Sequence, residues 1–300
     1  MIPQRKFPTP PHYRHEAITI DLVGCGGTGS RVLSELAILD LALRSTDHKH
    51  GLHVAVWDPD RVDESTVGGS TFAPSDVGQY KASVLVTRIN TVYGLMWRGL
   101  GKPYQHHVRL TERGRAPAKI LITCVDRLRP RVDLYQDMRD SLDAPPDLWI
   151  DAGNDRDFGQ VVCGQPEWRG RRPDLKTPRL HTVVDLFPGM VEAAAAEPDE
   201  PDSCSLAQRL GRQSATINRH MSTWIAEMAS QLLIGGGLDW NAVFVSAASG
   251  RANSAYRAEG APADIREVRP GFLNGGESVL PRSRRRLRSS GPLPRRLTCR

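Results

Sequence analysis

Four glycines within six residues have the clearest chemical use in this chain. Gly24, Gly26, Gly27 and Gly29 directly follow a short apolar run, Ile18–Val23, and precede apolar residues at helical spacing. Glycines between a strand and a helix allow a tight turn and let backbone N–H groups approach a phosphate. The positive end of the helix dipole adds a further attraction for that anion. The spacing therefore predicts a loop that binds the phosphates of a nucleotide.

Asp58 follows a second apolar run, Leu52–Trp57. A carboxylate at the end of the second strand of such a unit typically accepts hydrogen bonds from a ribose hydroxyl. We therefore predict that Asp58 binds the nucleotide ribose, and we interpret Asp60 and Asp63 as turn residues.

Lys81 and Asp126 indicate which nucleotide is bound. Lys81 falls in the first turns of a predicted helix, and Asp126 ends an apolar run with Arg131 shortly after it. A lysine can neutralise triphosphate charge, and a strand-end aspartate can hold Mg²⁺. Hydride transfer needs neither group, so these residues favour ATP with Mg²⁺. A NAD-dependent oxidoreductase stays open as a remote alternative.

The elements that must position these residues alternate along the chain. Predicted strands cover Ile18–Val23, Leu52–Trp57, Ile120–Val125, Leu148–Ala152 and Ala242–Ala248, and predicted helices cover Ser30–Leu43, Val77–Tyr93 and Leu206–Leu233. Alternating strands and helices are typical of an α/β fold with a mostly parallel sheet flanked by helices. The candidate site then lies along the carboxyl edge of that sheet.

Composition divides the chain into a folded body and two ends. We predict a flexible segment over residues 1–16, one nucleotide-binding domain over 17–254 and a disordered tail over 255–300. Within the domain, the stretch 165–202 is rich in proline and charge and is interpreted as a crossover or lid segment.

The formal net charge of +6 arises from the tail. Ser278–Arg300 contains 8 of the 40 basic residues and no acidic residue, and the rest of the chain has 32 basic against 34 acidic residues. Binding to nucleic acid is therefore expected only as a non-specific property of the tail. The sequence has neither a signal peptide nor an apolar run of membrane-spanning length, and a cytoplasmic location is the expectation.

The five cysteines form no C-x-x-C pair, so the sequence predicts neither a zinc site nor a disulfide framework. His106, His107 and His181 have no carboxylate or cysteine at ligand spacing and are interpreted as structural or solvated histidines.

Four motifs in order resemble a known superfamily. They read Gly24-x-Gly-Gly-x-Gly29, Asp58-x-Asp-x-Val, Asp76-Val-Gly-x-x-Lys81-Ala and Asp126-x-x-x-x-Arg131. This set resembles the ThiF/MoeB/ubiquitin-activating superfamily over about Ile18 to Gly250. Further stretches, Asp151-Ala-Gly-Asn154 and Gly159-Gln-Val161 among them, are similar to the ThiF-family member of PRTRC cassettes of bacterial plasmids and integrative elements.

The resemblance implies a Rossmann-like fold and a homodimer. It also implies ATP-dependent adenylation of the C-terminal carboxylate of a small ubiquitin-like or sulfur-carrier protein, encoded by the same cassette. By matching position, the glycine loop and Lys81 would bind the phosphates, Asp58 the ribose and Asp126 the Mg²⁺, with Lys81 and Asp126 as the catalytic pair.

The sequence departs from that pattern in one segment. Thr66, Gly69 and Ser70 stand where the family has an asparagine, an arginine and a glutamine that contact the nucleotide. Loss of such an arginine can cost orders of magnitude in rate, so a catalytically weakened nucleotide-binding scaffold is an open alternative.

The family's usual thioester cysteine is also absent, since the stretch Leu180–Pro188 that ends in the Phe187-Pro188 pair contains no cysteine. Cys204, before a predicted helix, is the remaining candidate for a thioester with the carrier protein. A structural cysteine is the alternative interpretation of Cys204.

Overall fold

The computed structural model describes residues 7–46, 48, 50–105, 118–141, 143–170, 178–198, 216–256 and 258. The strands are β1 (Phe7–Pro8), β2 (Ile18–Val23), β3 (Leu52–Trp57), β4 (Arg98–Leu100), β5 (Ile120–Thr123), β6 (Leu148–Asn154), β7 (Phe158–Gly164), β8 (Gly237–Leu238), β9 (Ala242–Ser246) and β10 (Arg251–Ala255). The α-helices are α1 (Gly29–Arg44), α2 (Lys81–Tyr93), α3 (Arg129–Asp140), α4 (Val183–Leu186), α5 (Met190–Ala195) and α6 (Ile217–Leu233).

Eight strands form one sheet in the order β10-β9-β7-β6-β5-β2-β3-β4. Strands β6, β5, β2, β3 and β4 run parallel, and β7, β9 and β10 extend the sheet with antiparallel pairs. The predicted α/β fold with a mostly parallel sheet flanked by helices is confirmed. Strands β1 and β8 pair separately as a short antiparallel ribbon.

Strand β2 is the middle one of the five parallel strands, and its Ile18, Ile20 and Leu22 are fully buried. Such near-continuous apolar runs are expected of parallel strands covered on both faces. In the parallel register Val23, at the end of β2, lies opposite Trp57 of β3 and Thr123 of β5. The segments that follow these three residues therefore leave the sheet at one edge, where the candidate site residues begin.

Helices cover both faces of the sheet. Helices α1, α2 and α6 pack on one face in the larger hydrophobic core, and α3, α4 and α5 pack on the other in a smaller one. Helices α1 and α6 also pack directly against each other. This contact brings the first turn of α6 next to the turn between β2 and α1. None of the helices in the described part of the chain is long and apolar enough to cross a membrane.

Helix α2 begins later than predicted, at Lys81 and not at Val77. A 3-10 turn over Pro74–Asp76 precedes it, and Gly78 has a φ of 88°. A residue in this left-handed region interrupts an α-helix, so the helix predicted to start at Val77 cannot run through Gly78 into α2. Lys81 is thus the first residue of the helix, and its backbone N–H donates to the carbonyl of Asp60.

The boundary at the N-terminus also differs from the prediction of a flexible segment over 1–16. Phe7 and Tyr13 are 4% and 2% exposed, and they belong to the larger core. The Tyr13 hydroxyl donates to the carbonyl of Lys119. Residues 7–16 therefore pack on the domain because their two aromatic rings are buried there.

The structure refines three other boundaries. Strand β5 ends at Thr123, and the described part of the long C-terminal helix begins at Ile217, since 206–215 lie outside the described residues. The segment 165–202, where described, contains α4 and α5 packed on the sheet. Most of the predicted tail lies outside the described residues, but Ala258 is buried and forms a β-bridge with Leu180.

Candidate functional site

The glycine loop connects β2 to α1, and two of its glycines are required by backbone packing. Gly24 has a φ of 88°, and a Cβ there would lie 2.8 Å from the carbonyl oxygen of Cys124. A Cβ on Gly29 would lie 1.9 Å from the carbonyl oxygen of Gly24, within the loop itself. Any side chain at either position would displace the backbone, so both glycines hold the shape of the turn.

The other two glycines have different surroundings. A Cβ on Gly26 would meet no atom within 4 Å, so the backbone there borders open space. Gly27 is covered, because a Cβ there would lie 2.4 Å from Nδ2 of Asn218 in α6. Packing does not require a glycine at position 26. A ligand that approaches the backbone explains the glycine at position 26 better than packing does.

Asp58 is 4% exposed and touches the loop directly. Its carboxylate accepts hydrogen bonds from the backbone N–H of Cys25 at 2.6 Å and of Asp60 at 2.9 Å. Burial raises the pKa of Asp58, and these two hydrogen bonds act in the opposite direction. The carboxylate therefore fixes the glycine loop against the end of β3, and each oxygen keeps a lone pair for a further donor such as a ribose hydroxyl.

Lys81 lies across from this carboxylate and is 8% exposed. Its Nζ is 2.8 Å from Oδ2 of Asp60, an oxygen on a side chain that is itself 63% exposed. The interpretation of Asp60 as a turn residue therefore missed its role as the partner of Lys81. The ammonium group of Lys81 thus lies near the glycine loop and Asp58, and the exposed carboxylate of Asp60 balances its charge.

Asp126 lies in the loop between β5 and α3, with an exposed side chain. Arg131 holds the residues on both sides of it, donating from Nη2 to the carbonyl of Val125 and from Nη1 to that of Arg127. Arg131 is 4% exposed, and its Nε lies 3.0 Å from Asp151 in a buried ion pair. Arg131 thus positions Asp126 without facing the open side of the site.

A second brace on the same loop comes from Glu197, just after α5. Its carboxylate accepts from the backbone N–H groups of Leu128 and Arg129, at the start of α3. This is an N-cap supplied by a residue about 70 positions away, and it satisfies two of the unpaired N–H groups of that helix. The predicted crossover segment is therefore anchored beside Asp126.

The segment that carries Thr66, Gly69 and Ser70 forms hydrogen bonds within itself and with Arg31 next to the glycine loop. Thr66 is 1% exposed and donates from Oγ1 to Asp63, and the Ser70 hydroxyl donates to the carbonyl of Thr66. The carbonyl of Gly69 accepts a hydrogen bond from Nη1 of Arg31 at 3.1 Å. None of the three side chains supplies a cation.

Arg31 itself was missed by sequence reasoning. It is the third residue of α1, and its Nη1 also donates to the carbonyl of Gly27. A basic residue in the first turn of a helix opposes the helix dipole, and this was the available signal. Asn218 also borders the loop, where its Oδ1 accepts from the Thr28 hydroxyl at 3.0 Å. No local pattern predicts that contact.

The described cysteines have no activated thiol. Cys25, Cys124 and Cys163 are unpaired, and burial raises the pKa of all three, that of Cys163 to about 12. A raised pKa keeps a thiol protonated and unreactive. Cys204 lies outside the described residues, so its proposed thioester role stays a prediction.

The predicted non-ligating histidines lie away from this edge or outside the description. His181 borders a surface cavity of about 490 Å³ together with Arg139 and Arg179, on the face covered by α3 and α4. His106 and His107 lie outside the described residues. Among the residues that are described, no group of three or more His, Cys, Asp or Glu side chains could hold a metal ion.

Comparisons with known proteins bear on the fold. No protein-family model matches the sequence, and no curated protein matches it either. Solved structures do match: PaaA with a TM-score of 0.52 and 14% identity over 80% of this chain, and E. coli MccB with ATP with 0.52 and 14% over 82%. MccB with MccA gives a TM-score of 0.54 and 13% identity over 80% of this chain.

The matched regions span 64%, 65% and 64% of those three chains, which is less than two thirds of each. At these identities the likeness is one of fold. It agrees with the predicted Rossmann-like α/β arrangement with a mostly parallel sheet, and that prediction of fold is confirmed.

Proposed function

We propose that this protein activates a terminal carboxylate by ATP-dependent adenylation. The observation that carries the proposal is the open backbone at Gly26, bordered by Asp58 and Lys81 at one sheet edge. Two of the structures that share the fold are MccB with ATP and MccB with MccA. The open site at Gly26 and these two structures together favour a nucleoside triphosphate and a peptide or small protein as the two substrates.

The chemistry requires a cationic environment for a leaving pyrophosphate. An oxygen of the substrate carboxylate forms a bond to the α-phosphorus, the bond from that phosphorus to the bridging oxygen of the β-phosphate breaks, and pyrophosphate leaves with the electron pair. Backbone N–H groups of the glycine loop and Nζ of Lys81 would stabilise the charge on these phosphates. Asp58 would orient the ribose from the end of β3.

Asp126 fits a role in holding Mg²⁺. Protein sites for Mg²⁺ in phosphoryl chemistry commonly use one or two carboxylates, with substrate phosphates and waters as the other ligands. Asp126 offers one exposed carboxylate on a loop that Arg131 and Glu197 brace. Mg²⁺ bound there would supply a Lewis acid that neutralises phosphate charge.

The finer proposal follows from the sequence motifs. The substrate would be the C-terminal carboxylate of a small ubiquitin-like or carrier protein encoded in the same PRTRC cassette, with Cys204 as a candidate acceptor. The enzyme would act as a homodimer in the cytoplasm.

A second candidate function is a nucleotide-binding scaffold with weakened catalysis. The observation that favours it is the closed segment at Thr66, Gly69 and Ser70, which presents no cationic side chain to the loop. Such a protein would bind ATP and turn it over poorly.

ATP–pyrophosphate exchange separates these functions. We expect exchange that depends on the co-encoded ubiquitin-like protein, is absent when its C-terminus is amidated, and falls to background in Asp126→Ala with Mg²⁺ present. Binding of ATP without exchange would favour the scaffold. Tighter binding of NAD than of ATP would contradict both functions and support the oxidoreductase.

A further inference from the structure

Two arginines lie near the glycine loop, where α1 packs against α6. Arg31 is the third residue of α1, and Arg219 is the third residue of α6. Burial lowers the pKa of the Arg31 guanidinium, and the positive charge of Arg219 lowers it further. Within the described part of the chain, no carboxylate forms an ion pair with either one.

The position of these arginines in their helices is unfavourable without a bound anion. Both lie in a first turn that contains no acidic residue, where the positive end of the helix dipole opposes a cation. Ser30, next to Arg31, is 1% exposed, and its hydroxyl has no hydrogen-bond partner in the structure as described. Two helix N-termini and two arginines together make a concentrated positive region at the glycine loop.

The contacts of Arg31 show how its guanidinium is oriented. Nη1 donates to the carbonyl of Gly27 in the loop and to that of Gly69 at 3.1 Å. Nε and Nη2 make no hydrogen bond among the described residues, so the planar guanidinium group keeps N–H donors on these two nitrogens for another acceptor. Gly26 is directly beside the Gly27 that Arg31 contacts, and it borders open space where an anion could approach the loop.

We propose that Arg31, supported by Arg219, binds the polyphosphate of ATP and supplies the cation that the Gly69 segment lacks. This inference rests on the proposed nucleotide site and adds the residue that recognises the phosphates. Arg31 is held by the carbonyl of Gly27 in the loop and by that of Gly69 in the neighbouring segment, and so is pre-organised for a bidentate contact with phosphate oxygens. Arg219 is more exposed and contributes mainly charge.

Calorimetric titration of the full chain with ATP, adenosine and inorganic tripolyphosphate tests this role. We expect Arg31→Gln to weaken ATP binding by about 10- to 100-fold, as the loss of charge-assisted hydrogen bonds predicts, with adenosine binding unchanged. Arg31→Lys retains the charge without the fork and should recover part of the loss. Arg219→Gln should weaken ATP binding only a few-fold, and Arg14→Gln, on the 3-10 turn over Pro11–Arg14, is the control.

Each outcome is decisive. Unchanged ATP affinity in Arg31→Gln would overturn the role, and so would an equal loss of ATP and adenosine, which would indicate a purely structural bridge. If the wild type binds tripolyphosphate through Arg31 and binds ATP no more tightly than tripolyphosphate, the anion site stands and the proposed nucleotide function fails. If it binds neither ATP nor tripolyphosphate, both proposals are wrong.

Discussion

Gly29→Ala should unfold or severely destabilise the protein. The added methyl group would lie 1.9 Å from the carbonyl oxygen of Gly24 and 3.3 Å from Cβ of Cys124. The methyl group would overlap a backbone carbonyl oxygen, so no side-chain rotation can relieve the overlap. We expect a loss of about 3 kcal/mol or more in the free energy of unfolding.

Thermal melting with circular dichroism measures this effect. For a domain of this size, such a loss lowers the melting temperature by about 10 °C or prevents soluble expression. A melting temperature within about 2 °C of the wild type would show that the β2–α1 turn is not as compact as described. Gly26→Ala is the matched control for stability, because its methyl group would meet no atom within 4 Å.

Lys81→Ala should reduce ATP–pyrophosphate exchange by about 100- to 1,000-fold while leaving the fold intact. A single preorganised group that stabilises transition-state charge has an effect of this size. The stability cost should be small, because Lys81 pairs with an oxygen of Asp60 on a largely exposed side chain. The initial exchange rate of Lys81→Ala should therefore fall, while its melting temperature should stay close to that of the wild type.

Asp60→Asn distinguishes a direct role of Lys81 from a structural role of the pair. This variant removes the charge of the partner and keeps the lysine, so exchange should stay within a few-fold of the wild type. If Asp60→Asn loses as much activity as Lys81→Ala, the lysine acts through the ion pair and not through the phosphates. Normal exchange in Lys81→Ala would contradict the proposed role outright.

Much of the architecture could be predicted, because its signals are local in sequence. The apolar runs of β2 and β3 and the glycines between strand and helix place the loop and Asp58 at one edge of the sheet. Two element or segment boundaries differ from the prediction, each for one physical reason. The left-handed Gly78 delays the start of α2, and the burial of Phe7 and Tyr13 extends the domain towards the N-terminus.

The part of the site that could not be predicted from the sequence consists of contacts between residues far apart in the chain. Glu197 caps α3 from 69 positions beyond Leu128, and the Thr28 hydroxyl bonds to Asn218 from 190 positions away. No periodicity or motif encodes such pairs, because they arise only when the helices pack. Arg31 had a local signal, a cation in the first turn of a helix, but its meaning depends on Arg219 across the α1–α6 contact.

The central claim is that the open face of the glycine loop binds ATP, and Gly26→Ala tests it most directly. Its methyl group clashes with no protein atom but occupies the space through which a phosphate would reach the backbone. The account predicts a melting temperature within about 2 °C of the wild type, together with a loss of ATP affinity of about 10-fold or more by calorimetric titration. An intact Gly26→Ala protein that binds ATP as tightly as the wild type would contradict it.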